Sequence, residues 1–106
     1  MRRTLATAQA IAREIGYELR DIAIDGRLYA STADAMLAVV QSLDNKADCV
    51  MLFGHNPEMA ELARRLSGEI SDMPTCAVAE FRYHVTAWRD VGRTAPSKST
   101  LDAPKL

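Results

Sequence analysis

One histidine of this chain lies where a protein can bind a negatively charged group. His55 belongs to the motif Gly54-His55-Asn56-Pro57, which follows the apolar run 49–53 and leads into a helical pattern. The N–H groups and the positive end of a helix at such a place favour an anion. His55 can donate a hydrogen bond to a phosphoryl oxygen, bind a metal, or simply end the preceding strand. The residues alone leave these three alternatives open, although one histidine without companions is a weak metal signal.

A buried strand and a helix are predicted to hold this motif. The run 49–53 has no polar alternation, which is typical of a strand buried on both faces of a parallel sheet. Ligands of open α/β sheets bind at the carboxyl ends of such strands. In the helix that follows, Asn56 can cap and Pro57 takes the first helical position. The inward stripe of this helix is predicted to be Met59, Leu62, Ala63 and Leu66.

Two helices and a short strand are predicted upstream of the motif. Apolar residues at helical spacing indicate a helix over 4–15, ended by Gly16, and weak alternation indicates a strand over 17–24. Ser31 can cap the next helix, with Asp34 placed as the acidic partner of a capping box. The buried face of that helix is predicted to be Ala33, Met36, Leu37, Val40 and Leu43.

The clearest alternation of the sequence covers residues 77–85 and predicts a strand with one wetter face. The apolar side of that strand is Ala77, Ala79, Phe81, Tyr83 and Val85. A further strand is predicted over 86–91, with Trp88 in the core. Pro, Ser, Thr and Lys predominate from Gly92 onward, which indicates a mostly irregular tail. The alternation of strands and helices predicts an α/β fold.

Composition limits the class of protein. The 106 residues, 48% hydrophobic and 25% charged, suffice for one domain. The net charge of −1 gives no general attraction to nucleic acid or to an anionic membrane. No apolar run approaches the ~18 residues of a membrane span and no signal-peptide pattern opens the chain, so a cytoplasmic protein is expected. Cys49 and Cys76 lie far apart and outside any Cys-x-x-Cys spacing, and a zinc knuckle or a disulfide framework would need more cysteines. Both are predicted to be buried.

Four segments together resemble the histidine phosphatase superfamily, whose fold is also called phosphoglycerate-mutase-like. The run 50–57, followed by a Met- and Leu-rich helix, resembles the family's second histidine motif. Residues 3–8 resemble its segment Ser-Pro-Ala-x-Arg-Ala-x-Gln-Thr-Ala from the arginine onward, and residues 28–31 resemble Leu-Tyr-x-Ala-Ser. Residues 73–79 resemble the Pro-Thr-Gly/Cys-Ala-x-Ala segment of the phosphohistidine phosphatase branch. The resemblance covers roughly residues 1–88.

The resemblance implies a three-layer α/β/α domain over residues 1–91, followed by the tail 92–106. The first strand, the first helix and most of the second strand of that fold would be missing. The family's pocket holds the phosphoryl group between two histidines and two arginines. Arg3 matches the second arginine, which clamps phosphoryl oxygens bidentately, and Arg2 takes this role if the alignment shifts by one.

His55 matches the family's second histidine, a catalytic and phosphate-binding residue that stabilises the charge of the transferring group. Gly54, Asn56 and Pro57 are expected to shape the loop around it. The resemblance implies neither a metal nor an organic cofactor.

The family's attacking histidine has no counterpart in this sequence. That residue lies in an Arg-His-Gly motif of the first strand, and no Arg-His-Gly is present here. The other histidine, His84, is predicted to lie on the wet face of a late strand. Relative to the family pattern, Met1 falls inside the segment that contains the matched arginine, so the nucleophile would lie upstream. Without a nucleophile, covalent phosphoryl transfer fails, and the chain alone is expected to be nearly inactive.

The expected partner is a phosphorylated protein or a small phosphorylated substrate. Near residues 28–30 no carboxylate matches the family's leaving-group acid, since Asp25 and Asp34 fit a turn and a cap. This favours phosphohistidine, whose P–N bond breaks with less help than a phosphoester. A homo-oligomer is also expected, because loss of the first strand would expose unpaired sheet edges. Nucleic acid and membrane are not expected partners.

Two alternatives to the phosphatase remain. Arg3, His55 and the helix after Asn56 could form half an anion site, which would make the chain a non-catalytic module that binds phosphate or a phosphopeptide. The chain could also be a structural remnant without a function of its own.

Overall fold

Three α-helices and a two-stranded sheet make up the described part of the chain. The structure is a computed structural model, and apart from the side chains of Arg2 and Arg3 it describes residues 2–28, 32–70, 72–74 and 76–103. The elements are α1 (Arg2–Ile15), α2 (Ala33–Gln41), α3 (Glu58–Leu66), β1 (Val78–Arg82) and β2 (Lys98–Asp102). They form a small mixed α/β domain, so the predicted α/β class is confirmed at this level.

The sheet consists of β1 and β2, which pair antiparallel. In its register Val78 lies opposite Asp102 and Arg82 lies opposite Lys98. The alternation predicted over 77–85 is confirmed, because its apolar side chains are half-buried and the others are exposed. Ala77, Ala79 and Phe81 pack against a buried cluster of Ala60, Ala63, Ile70 and Met73.

β2 corrects the prediction of a mostly irregular tail. Ser97, just before this strand, donates its backbone N–H to the carbonyl oxygen of Arg82 at 2.7 Å. The Ser99 hydroxyl lies 2.9 Å from the Ser67 hydroxyl. The strand has little apolar character of its own, so its structure depends on pairing with β1, which a local pattern does not show.

α1 confirms the predicted helix. It ends at Ile15, and Gly16 follows with φ +76°, the left-handed conformation that glycine adopts without strain. The Tyr17 N–H donates to the Ala12 carbonyl at 2.8 Å, which closes the last turn. Ala8 and Ala12 are buried, whereas 63% of Ile15 is exposed. The small side chains, rather than the large one at the end, therefore form the inward face.

α2 and α3 pack against each other. Met36 of α2 is 2% exposed and shares a buried cluster with Ala33 and with Leu62 of α3. The predicted cap, Ser31, lies outside the described residues. The hydroxyl of Thr32 caps α2 instead, by accepting the Ala35 N–H at 3.1 Å.

The acidic partner expected for a capping box in α2 has another role. Asp34 forms an ion pair with Arg65 of α3. The buried face of α2 also differs from the prediction, because Val39 is buried while Leu37, Val40 and Leu43 are half-buried.

Three predicted strands are absent from the structure. The segment predicted over 17–24 contains a single 3-10 turn, Leu19–Asp21, and the segment predicted over 86–91 contains another, Trp88–Asp90. Trp88 is half-buried, and its indole N–H donates to the Ala47 carbonyl at 2.9 Å.

The segment 49–53, predicted to be a buried parallel strand, is extended chain without strand pairing. In the described residues β1 and β2 pair only with each other, so no neighbouring strand offers its backbone to this segment. The segment is also only partly buried: Cys49 is exposed, as are Val50 at 38% and Met51 at 48%, whereas Leu52 and Phe53 are half-buried. The prediction that Cys49 and Cys76 are buried is therefore wrong.

A membrane-spanning helix was not predicted, and the described residues contain no helix long and apolar enough to cross a membrane.

Candidate functional site

The histidine motif forms the junction between segment 49–53 and α3. The Met59 N–H donates to the His55 carbonyl at 2.9 Å, and the Glu61 N–H donates to the Pro57 carbonyl at 3.0 Å. The first turn of α3 is thus built directly on the motif. Pro57 follows a cis peptide bond. It occupies the N-cap position predicted for Asn56, so the helix begins one residue later than predicted.

Asn56 ties this junction to another part of the chain. Its side-chain oxygen accepts the Ala60 N–H at 3.1 Å, and its amide nitrogen donates to the Met73 carbonyl at 2.7 Å. One side chain therefore satisfies a backbone N–H group of the first turn of α3 and holds the segment 72–74 beside it.

Gly54 allows close packing at the junction. A Cβ atom at this position would lie 2.8 Å from the Met59 sulfur and 3.3 Å from the Met36 terminal methyl carbon. Any side chain would push these methionines away from the interface between α2 and α3. Gly54 was expected to shape the loop, and in the structure two methionine side chains approach it closely.

His55 reaches the first turn of α1. Its Nε2 atom lies 2.9 Å from the hydroxyl oxygen of Thr4, a residue 51 positions earlier in the chain. The imidazole is exposed, so a dissolved ligand can reach it. The backbone of Arg3 lies in the same turn of α1, next to Thr4, but the guanidinium group predicted to bind phosphate lies outside the described atoms, as does that of Arg2.

Thr4 is the residue of this site that the sequence did not reveal. It follows Arg3 inside the segment 3–8, where the resembling family pattern has alanine. This difference from the family pattern was the one feature of the sequence that could have drawn attention to Thr4. Nothing local to Thr4 indicates a contact with a histidine so far along the chain.

The N-termini of α1 and α3, which flank His55, differ in their content of acidic residues. The first turn of α1 contains no acidic residue. The first turn of α3 contains Glu58 and Glu61, and Glu61 pairs with Arg64 at 2.8 Å. Carboxylates at a helix N-terminus satisfy its positive end and repel an anion. The end of α1, rather than that of α3, is therefore the more favourable side of His55 for a negatively charged ligand.

The other titratable residues singled out by the sequence lie in separate structures. Asp25 forms a bidentate ion pair with Arg27, whose hydrogen bonds lower the pKa of that carboxyl to about 2. Asp34 is paired with Arg65. His84 is exposed and follows the end of β1. In the described part of the chain no three His, Cys, Asp or Glu residues are grouped closely enough to hold a metal ion.

Comparison of the chain with known protein families, with curated proteins and with solved structures gives no match. The site can therefore be interpreted only through its own chemistry. An exposed imidazole, a hydroxyl group and a helix start without acidic residues can bind an oxyanion.

Proposed function

We propose that this chain carries the second-histidine half of a phosphate pocket of the histidine phosphatase type, with phosphohistidine in a protein as its substrate class. The complete domain would have the family's three-layer α/β/α arrangement. In this role His55 donates a hydrogen bond to a phosphoryl oxygen and stabilises the charge of the transferring group. Arg3 clamps the same group with its guanidinium, and Gly54, Asn56 and Pro57 keep the loop in place.

The observation that carries this proposal is the contact between Thr4 and His55. Residues 3–8 and 50–57 were linked on the sequence only by their resemblance to two motifs of one pocket. Their contact at 2.9 Å supports the inference that they contribute to one site. The absence of acidic residues from the first turn of α1 suits an anion at this place.

Phosphate binding is tested first. Inorganic phosphate added to the ¹⁵N-labelled chain is expected to shift the NMR signals of His55 and of the first turn of α1, at constant ionic strength. His55→Ala is expected to abolish the response. His84→Ala is the matched control, because it removes an equally exposed imidazole outside the site. Equal responses in the two variants, or none in the unaltered chain at millimolar phosphate, would count against the proposal.

Catalysis is tested separately. The 106 residues contain no Arg-His-Gly motif, so the chain is expected to release no phosphate from a phosphohistidine peptide above background. A longer chain with an Arg-His-Gly segment upstream is expected to be active, and His55→Ala in that longer chain is expected to lower kcat. Activity of the 106-residue chain that survives His55→Ala would place the chemistry elsewhere.

A binding module without catalysis is the second candidate, and the missing nucleophile motif favours it. It predicts the same phosphate response but no turnover in any natural form of the protein. The activity of the longer chain therefore distinguishes the two candidates.

Self-association is a further part of the proposal. Segment 49–53 has no strand partner among the described residues, and Met51 within it is 48% exposed. An extended apolar segment of this kind can pair with a second copy. Light scattering is expected to show a dimer that Val50→Lys converts to a monomer, and a monomer at all concentrations would contradict this expectation.

A further inference from the structure

We infer that Thr4 is a positioning residue of the site, which orients the His55 imidazole and relays its hydrogen bond to the bound phosphoryl group. The inference rests on the proposed phosphate site and adds a residue to it. Neither the composition of the chain nor the resembling motif assigns this role, since the family pattern has alanine at this place.

The hydroxyl of Thr4 and the imidazole of His55 differ in hydrogen-bonding capacity. A threonine hydroxyl offers one donor and two acceptor positions, whereas a protonated imidazole nitrogen offers one donor. When Nε2 of His55 carries the proton, it donates a hydrogen bond to the Thr4 oxygen at 2.9 Å. The hydroxyl proton of Thr4 is then directed away from the ring and can be donated to another acceptor.

The hydroxyl proton of Thr4 then needs a hydrogen-bond acceptor. Inside a helix, a threonine hydroxyl commonly donates to a carbonyl three or four residues earlier. Thr4 lies in the first turn of α1, and among the described residues its hydroxyl contacts no acceptor other than His55. The turn also contains no carboxylate that would accept the proton. A phosphoryl oxygen beside His55 is an acceptor of the right kind.

The contact with Thr4 also orients the His55 ring. An exposed imidazole on a loop rotates about its side-chain bonds unless a partner holds it. The contact with Thr4 holds Nε2 toward α1, and when the hydroxyl accepts, Nε2 carries the proton of the neutral ring. When phosphate binds, the ring carries a proton on both nitrogens, so Nε2–H stays on Thr4 and Nδ1–H donates to the phosphoryl oxygen. The Thr4 hydroxyl donates to the same phosphoryl group.

The test compares three substitutions on α1. Thr4→Val keeps the shape of the side chain but removes the hydroxyl, and Thr4→Ser keeps the hydroxyl. Thr7→Val makes the same chemical change almost one turn along α1 and controls for helix propensity. Phosphate affinity measured by NMR is expected to fall roughly tenfold in Thr4→Val, the scale of one hydrogen bond to a charged group. Thr4→Ser and Thr7→Val are expected to bind within about twofold of the unaltered chain.

A second measurement without phosphate separates this inference from the proposed function. In the unaltered chain the ¹⁵N chemical shifts of the His55 ring are expected to show the neutral tautomer protonated at Nε2. Thr4→Val is expected to give a mixture of tautomers, and Thr4→Ser to restore the single form. If phosphate binds through His55 but Thr4→Val changes neither affinity nor tautomer, the role of Thr4 is wrong and the phosphate site stands. If the tautomer responds to Thr4 but phosphate does not bind, the relay to a phosphoryl group is wrong together with the proposed function.

Discussion

β1 and segment 49–53 are both apolar stretches that the sequence predicts as strands, yet only β1 forms one. In β1 exposed and half-buried residues alternate. One face packs on the buried cluster of Ala60, Ala63, Ile70 and Met73, and the other face meets solvent. Its backbone pairs with β2 over five residue pairs. Segment 49–53 is continuously apolar and has no strand beside it in the described residues. The difference shows that hydrophobicity does not suffice for a strand, because the backbone also needs a hydrogen-bonding neighbour.

The largest expected effect comes from removing the partner of β1. Truncation after Pro96 deletes β2 and makes residues 78–82 resemble segment 49–53, with an unpaired backbone. Five cross-strand pairs at a few tenths to 1 kcal/mol each give an expected loss of about 3 kcal/mol in the free energy of unfolding. Urea unfolding followed by circular dichroism measures this loss. An unchanged midpoint would mean that α3, rather than β2, holds β1 in place.

A matched pair of substitutions compares the two stretches directly. Phe81→Ala removes a side chain that packs on the buried cluster containing Ala60 and Ala63. It is expected to lower the free energy of unfolding by about 2 kcal/mol. Met51→Ala removes a side chain that is 48% exposed and is expected to change it by less than about 0.5 kcal/mol. Urea midpoints measure both. Equal losses would show that segment 49–53 is buried in solution, for example against a second copy.

Tyr83, one residue past β1, offers a stabilising change. Its hydroxyl oxygen is buried and has no hydrogen-bond partner in the described structure. Tyr83→Phe is therefore expected to raise the free energy of unfolding by about 1 kcal/mol. The control is Tyr17→Phe, which removes a hydroxyl that donates to the Asp21 carbonyl at 3.0 Å and is expected to give no gain. A loss of stability in Tyr83→Phe would indicate that the hydroxyl has a partner in solution.

The same tyrosine predicts the alkaline response of the fold. Burial raises the pKa of Tyr83 above its ordinary value of 10.0. Because the unfolded chain ionises first, the contribution of Tyr83 is fully present below pH 10 and is lost as the pH rises through the higher folded value. Melting temperatures measured across this range are expected to fall less steeply for Tyr83→Phe than for the unaltered chain.

The smallest expected effect lies in the region 17–28, another place where a predicted strand is absent. Arg27 lowers the pKa of the half-buried Asp25 carboxyl from 3.8 to about 2. The contribution of this pair is therefore present above pH 3.8 and is lost as the pH falls toward 2. Asp25→Asn is expected to make acid unfolding slightly less steep in this window only. A loss of stability in Asp25→Asn that persists below pH 2 would show that Asp25 acts through packing and not through its charge.

What could be predicted from the sequence is what local spacing determines. α1 with Gly16 after it, the helix that follows the histidine motif and the two faces of β1 all follow from patterns within a few residues. β2 and segment 49–53 depend on which strand lies beside them, and the residues of a single stretch do not contain that information. The incorrect prediction that Cys49 is buried has the same origin, because its burial was inferred from the predicted buried strand.

The candidate site divides in the same way. His55 and the helix after it could be located from the motif. Asn56, predicted as the N-cap, lies one residue before the N-cap, although its side chain still accepts the Ala60 N–H of the first turn. The contact with Thr4 joins residues 51 positions apart, so no local pattern indicates it. The close packing at Gly54 depends on Met36, which belongs to a different helix. The roles of Arg3 and His55 in phosphate binding stay predictions.

The side chain of Asn56 has a consequence for the lifetime of the protein. Asparagine deamidates when the backbone nitrogen of the next residue attacks the side-chain carbonyl and forms a succinimide. Here the next residue is Pro57, which has no N–H group and cannot form that ring in the ordinary way. Asn45, which accepts the Trp88 N–H at 2.9 Å, is followed by Lys46 and has no such protection. As the protein ages, the amide that joins α3 to Met73 is therefore expected to outlast the one that holds Trp88.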